Sequence, residues 1–264
     1  MKREFAVLGI IIALGVGLLG GWFIPSPITT PRTPLIDEIK SRGELIVGTS
    51  ADYPPFENFS YPYTGGIEGF DVDVSQLIAD SLGVNLKVVN LEFASLISAC
   101  QAGTVDMIAA AMTYNDERAR SIAASITYIN VSEVVIVKQT SPLTTLSSLD
   151  ELGGLTVGCQ TGTVMQDELT AVGNITVDAS PSAVILMTKL SSDAIAAAYV
   201  DEPVFAIYNK TENLRIIYSS GVEHLALWTR YGEPELLYVM NNVLLSAFLD
   251  GTMSGLYSKW GFPN

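Results

Sequence analysis

Leu45-Ile46-Val47-Gly48, then Asp52-Tyr53-Pro54-Pro55-Phe56, then the stretch from Val74 to Leu82: these three pieces decide the fold. The first is an apolar run short enough for a strand. Two adjacent prolines end any regular element, so residues 52–56 are a loop. Val74, Leu77, Ile78 and Leu82 recur at helical spacing, and Gly83 supplies a C-terminal stop. Working outward, the same order repeats. A short helix is expected over 36–41, a strand over 86–91, a helix over 93–102 closed by Gly103, and a strand over 106–111. Asn115 is expected to cap a helix beginning at Asp116.

A strand over 134–138 and the polar Gln139-Thr140-Ser141 lead into a second alternating stretch. It predicts strands over 155–160, 175–178 and 197–200, a helix over 163–169, and another behind Pro181. A strand-like run at 225–229 comes before Pro234. That proline fits the first turn of a long helix whose Leu236, Leu237, Met240, Val243, Leu244, Ala247 and Phe248 share one broad face, ended by Gly251. Such alternation marks an α/β layer with a mainly parallel sheet.

The chain has 264 residues and is 48% hydrophobic, enough for two modest lobes with real cores. Its net charge is −14, and Lys2, Arg3 and Arg32 lie before residue 33, so the body is more acidic still. An anionic body repels phosphate backbones and excludes nucleic-acid binding. Cys100 and Cys159 read as two separate buried thiols. With His224 the one histidine, no metal-ligand spacing exists and no cofactor is implied.

Lys2 and Arg3 precede an uncharged run over 5–24, long enough as a helix to span a hydrocarbon core of about 30 Å. Residues 1–24 are therefore expected to be a transmembrane signal anchor, or a signal peptide if cleaved, with the body outside. Residues 25–34 hold four prolines and read as a semi-extended spacer.

From about Leu35 to Phe262 the body resembles the amino-acid branch of the type 3 extracellular solute-binding proteins. The resemblance is carried by Gly43-Glu44-Leu45-Ile46-Val47-Gly48-Thr49, Tyr53-Pro54-Pro55-Phe56-Glu57, Gly69-Phe70-Asp71-Val72-Asp73 and Gly103-Thr104-Val105-Asp106-Met107-Ile108. Thr113 with Glu117-Arg118, Thr161-Gly162-Thr163, Asp201-Glu202-Pro203 and Asp250-Gly251-Thr252 continue it in order and spacing. It implies a two-lobed periplasmic-binding-protein-like fold of type II, with residues 35–137 plus 226–264 as one lobe and 138–225 as the other.

The implied ligand is a free amino acid, a carboxylate and an ammonium on neighbouring atoms. Arg118 is the candidate for the carboxylate, because a planar guanidinium fork matches two carboxylate oxygens. Thr113 resembles the family's hydroxyl donor, and Ala110 and Ala111 match positions offering backbone groups. Gly162, Thr163 and Val164 begin the second lobe's helix, whose free N–H groups would complete the carboxylate shell. Asp201 is the ammonium candidate, at the C-terminal end of a strand. Tyr53 and Phe93 resemble stacking walls, with Glu57 beside them. Ser50, Gln160 and Val200 are expected around the ligand side chain; none is charged, which favours a neutral amino acid. Asp71 and Asp73 are read as helix starters outside the site. Ala196 and Ser191-Ser192 depart from the family pattern behind the site.

The expected mechanism is hinge closure by a monomer, read by an ABC permease with its ATPase subunit at the outer face of the cytoplasmic membrane. Two rivals share the fold: a cyclohexadienyl or arogenate dehydratase, which needs a placed acid or base, and a ligand-sensing receptor subunit.

Overall fold

The computed structural model describes residues 33–60 and 66–263. The expected membrane segment, and the spacer up to residue 32, lie outside the described residues. Among the described residues no single helix is long and apolar enough to cross a membrane.

The first lobe opens with α1 (Leu35–Arg42), closed by Gly43 in the left-handed conformation, and β1 (Glu44–Thr49). A small antiparallel sheet follows: β2 (Asp52–Tyr53), β3 (Glu57–Phe59) and β4 (Ile67–Glu68), with the double proline in the first connection. Then come α2 (Phe70–Leu82), β5 (Asn85–Asn90), a 3-10 turn at Phe93–Ser95 running into α3 (Leu96–Gln101), and β6 (Met107–Ile108). The second lobe holds β8 (Thr156–Gln160), α4 (Val164–Val172), β9 (Thr176–Ser180), α5 (Ala183–Ser191), β10 (Ala197–Asp201) and α6 (Glu202–Glu212). Two strands of sixteen residues, β7 (Ala123–Lys138) and β11 (Leu214–Thr229), run beside each other through both lobes. The chain ends in α7 (Pro234–Leu249) and α8 (Thr252–Trp260).

Apart from the small β2-β3-β4 sheet, the strands form one sheet, in the order β5-β1-β6-β11-β7-β10-β8-β9. The parallel sheet expected from the alternation is present at both ends: β5, β1 and β6 are parallel, as are β10, β8 and β9. The centre is antiparallel, because β11 pairs antiparallel with β6 and β7, and β10 with β7.

Four expectations are corrected. The helix from Asp116 is only a 3-10 turn at Arg118–Arg120; that charged stretch has no apolar stripe to bury, and β7 takes over at Ala123. The strand over 106–111 shrinks to β6. The strands over 134–138 and 225–229 are the ends of β7 and β11. Register shifts between β7 and β11 break the alternation of two that would have revealed them. Helix α8 was not expected at all.

Each lobe has its own core. Leu45, Val47, Phe70 and Ile78 pack with Leu236, Met240 and Leu244 of α7. Val135, Val157, Leu169 and Tyr199 form a separate cluster in the second lobe. Each fully buried leucine of this kind contributes about 1.5–3 kcal/mol. Cys100 and Cys159 are both buried and free, in different clusters, as expected.

Candidate functional site

The cleft between the lobes is lined by Tyr53, Glu57, Phe93, Ala110, Ala111, Thr113, Arg118, Gln160, Thr163, Val164, Met165 and Asp201. Eleven of these were singled out from sequence; Met165, on the first turn of α4, was not. The side chains nearly fill the space, leaving a cavity of about 10 Å³.

Arg118 is 7% exposed although it carries a fixed charge. Asn115 Oδ1 accepts the Arg118 N–H at 2.8 Å, so the asparagine holds the entry to this turn, although Glu117 is its N-cap residue. The guanidinium stands 5.6 Å from the centre of the Phe93 ring. Nη1 donates to the Thr113 carbonyl at 2.6 Å, and Nη2 donates across the cleft to the Gly162 carbonyl at 3.0 Å. The short turn gives Arg118 no helix dipole; its position comes from Asn115, the ring and the two carbonyls.

Thr163 is the N-cap of α4, and its hydroxyl donates to the Gln160 carbonyl at 2.7 Å. The first N–H groups of α4 are thus not capped by that side chain, and Thr163, Val164 and Met165 at this helix start line the cavity. Gly162 does not line the cavity. Its N–H donates to Gln166 Oε1 at 2.8 Å, so its amide is already engaged. Its φ is +82°, and a Cβ there would stand 3.1 Å from Ala94 Cα. Glycine at this point lets the second lobe touch the first.

Tyr53 and Asp201 meet across the cleft. The tyrosine hydroxyl donates to Asp201 Oδ2 at 2.9 Å and accepts the Asp201 N–H at 3.1 Å. Asp201 Oδ1 has no hydrogen-bond partner. Burial pushes this carboxyl up to about 7. Glu57 is fully buried, its oxygens are likewise unpartnered, and burial raises its pKa well above the usual carboxylate range.

Two residues expected around the ligand side chain are elsewhere. Ser50 is buried off the cavity and donates to Asp52 Oδ1 at 2.7 Å. Val200 packs in the second lobe's core with Leu186 and Ile195.

Two acids were missed. Asp71 does open α2, but its buried carboxylate also accepts the Ala111 N–H at 2.7 Å and the Tyr128 hydroxyl at 2.8 Å. Ala111 has φ +45°, a left-handed conformation costly for an L-residue, and Asp71 holds it there against the cavity. Asp52 Oδ2 reaches into the second lobe, accepting the Ala183 N–H at 2.7 Å and Gln160 Nε2 at 3.3 Å. Both act through backbone geometry that sequence spacing does not encode.

This architecture and this cleft have counterparts. Residues 45–263 match the model for bacterial extracellular solute-binding proteins, family 3. The arginine-binding extracellular protein ArtP of Bacillus subtilis is 31% identical over 224 residues, covering 82% of this chain and 86% of the relative. The L-cystine-binding protein TcyJ of Escherichia coli is 27% identical, covering 86% and 85%. Among solved structures, a mutant of ArgBP from T. maritima superposes with TM-score 0.81 at 34% identity, covering 85% of this chain and 98% of that one. The ancestral amino acid-binding protein AncCDT-1, described as a precursor of cyclohexadienyl dehydratase, gives 0.80 at 30% identity, covering 86% and 99%. The chain belongs to the family 3 bacterial extracellular solute-binding proteins. Its family is one of solute-binding proteins.

Proposed function

We propose that this protein captures a free amino acid outside the cytoplasmic membrane by closing its two lobes, and presents it to an ABC-type permease and its ATPase. One observation carries the reading: Arg118 from one lobe and Asp201 from the other are both buried and line one cleft. A zwitterion satisfies both, and neither lobe alone holds both ends. Arg118 with the α4 N–H groups takes the carboxylate, Asp201 the ammonium, and Tyr53 and Phe93 wall the carbon chain.

The uncharged Gln160 favours a neutral ligand. Glu57, buried and without a partner, favours a cationic one, and the B. subtilis relative is named for arginine. We favour a cationic amino acid. Strand pairing supports lobe crossings in the middle of β7 and β11, near Ser132 and Ser220, rather than at 137/138 and 225/226. Val134 already pairs with Val200 of β10. Residues 5–24 would tether the protein, which acts as a monomer.

Calorimetry of the full-length chain against the twenty amino acids, with product analysis of each mixture, tests this. Saturable binding without turnover is expected. An absence of binding, or dehydration of a prephenate-like acid in a parallel assay, contradicts it. The dehydratase reading draws on the AncCDT-1 likeness and on Glu57 as a neutral acid.

A further inference from the structure

Glu133 had no place in the sequence reading. It lies midway along β7 and pairs in register with Asp201 on β10. Residues paired across antiparallel strands point to the same face, so two carboxyl groups stand side by side. Glu133 is 0% exposed and Asp201 3%. Neither oxygen of Glu133 has a hydrogen-bond partner, nor does Asp201 Oδ1.

The surroundings offer little compensating charge. Tyr199, two residues before Asp201 on the same face, donates to Glu168 Oε2 at 2.7 Å, and its hydroxyl also faces Glu133 and partly offsets the effect of burial there. Glu168 on α4 and Glu223 on β11 add negative charge around Glu133, and Glu223 also acts on Asp201. The Tyr53 hydroxyl is engaged with Asp201. Arg118 is the cation that acts on the pair, with its fork committed to two carbonyls. Two like charges buried side by side do not both ionise.

We propose that Glu133 is a positioning residue of the ammonium site: together with Asp201 it retains a proton, which an arriving ligand ammonium displaces into solvent. This rests on the reading of the cleft as an amino-acid site. A carboxyl O–H bond breaks and the proton passes to bulk buffer. The ammonium supplies the compensating positive charge, and the ligand keeps all its own protons. Burial, reinforced at Glu133 by the charges of Asp201, Glu168 and Glu223 and at Asp201 by that of Glu223, pushes Glu133 up to about 9 and Asp201 up to about 7, in keeping with a proton retained at neutral pH. The consequence is an affinity that weakens as the medium acidifies, because a higher proton activity opposes the release of the displaced proton.

The test is titration calorimetry of the full-length chain with L-arginine, in two buffers of different protonation enthalpy, repeated at several pH values. The wild type is expected to release about one proton per ligand near neutral pH, the count falling as pH rises toward about 9. Glu133→Gln keeps the side chain's shape and removes its ionisation. It is expected to release fewer protons and to flatten the pH dependence of Kd; glutamate reintroduced at 133 restores both. A wild-type count of zero overturns the proposal, as does a Glu133→Gln count equal to the wild type's. The wild-type measurement decides even if the variant fails to fold. A wild type that binds no amino acid overturns the functional reading instead, a distinct result.

Discussion

The Tyr53 hydroxyl both donates to Asp201 Oδ2 and accepts the Asp201 N–H, joining residues 148 positions apart across the cleft. The two lobes are thereby joined at the acid proposed to hold the ligand ammonium. Asp201→Asn keeps the shape and removes the charge. Its cost on binding is expected at about 2–5 kcal/mol, at least about thirtyfold in Kd. Tyr53→Phe loses a neutral hydroxyl and should cost about tenfold or less. Calorimetric titration with L-arginine ranks the two; equal effects would argue against an ionic role for Asp201.

Arg118→Ala should bring binding below detection, since it leaves a ligand carboxylate unpaired in a dry cleft. Arg118→Lys should restore little, because a point charge cannot reproduce the fork. Unchanged affinity in Arg118→Ala would remove the carboxylate site.

Gly162→Ala introduces a side chain at φ +82° that meets Ala94 only when the lobes touch. The substitution should weaken binding by about fivefold, about 1 kcal/mol, because the contact with Ala94, unlike the φ strain, is made only in the closed form. Stopped-flow binding should show slower or less complete closure. An affinity equal to the wild type's would show that Ala94 and Gly162 do not meet on closure.

Much of this was legible in sequence. The β1 strand and the α2 period were each readable locally, because apolar spacing and a terminal glycine act within a few residues; the loop expected over 52–56 was not, since Asp52–Tyr53 pair with β3 as a strand. The ionic candidates Arg118 and Asp201 came from motif resemblance, and the fold brings them to one cleft. What escaped depended on partners distant in sequence. Asp71 matters because Ala111 lies in a left-handed turn 40 positions away. Glu133 matters because its strand register faces Asp201. The length of β7 was hidden by polar Thr127, Asn130 and Ser132 on a ribbon whose register shifts.

The buried acids also set a pH dependence for the ligand-free protein. Burial raises the carboxyls of Asp71 to about 6, Asp201 to about 7 and Glu133 to about 9, above their unfolded values. The native state therefore binds more protons than the unfolded chain, and stability falls as pH rises through this window. Thermal unfolding between about pH 5 and 9 should show a declining midpoint, less steep in Glu133→Gln. A midpoint that rises with pH would mean these carboxyls are ionised in the native fold.

Closure itself is most directly read as a distance. Spin labels at exposed Glu92 in the first lobe and exposed Val184 in the second report the lobe separation by pulsed electron paramagnetic resonance. Saturating L-arginine should shift the distribution to a shorter, narrower distance in the wild type and leave it unchanged in Arg118→Ala. A wild-type distribution indifferent to every amino acid would contradict capture by lobe closure.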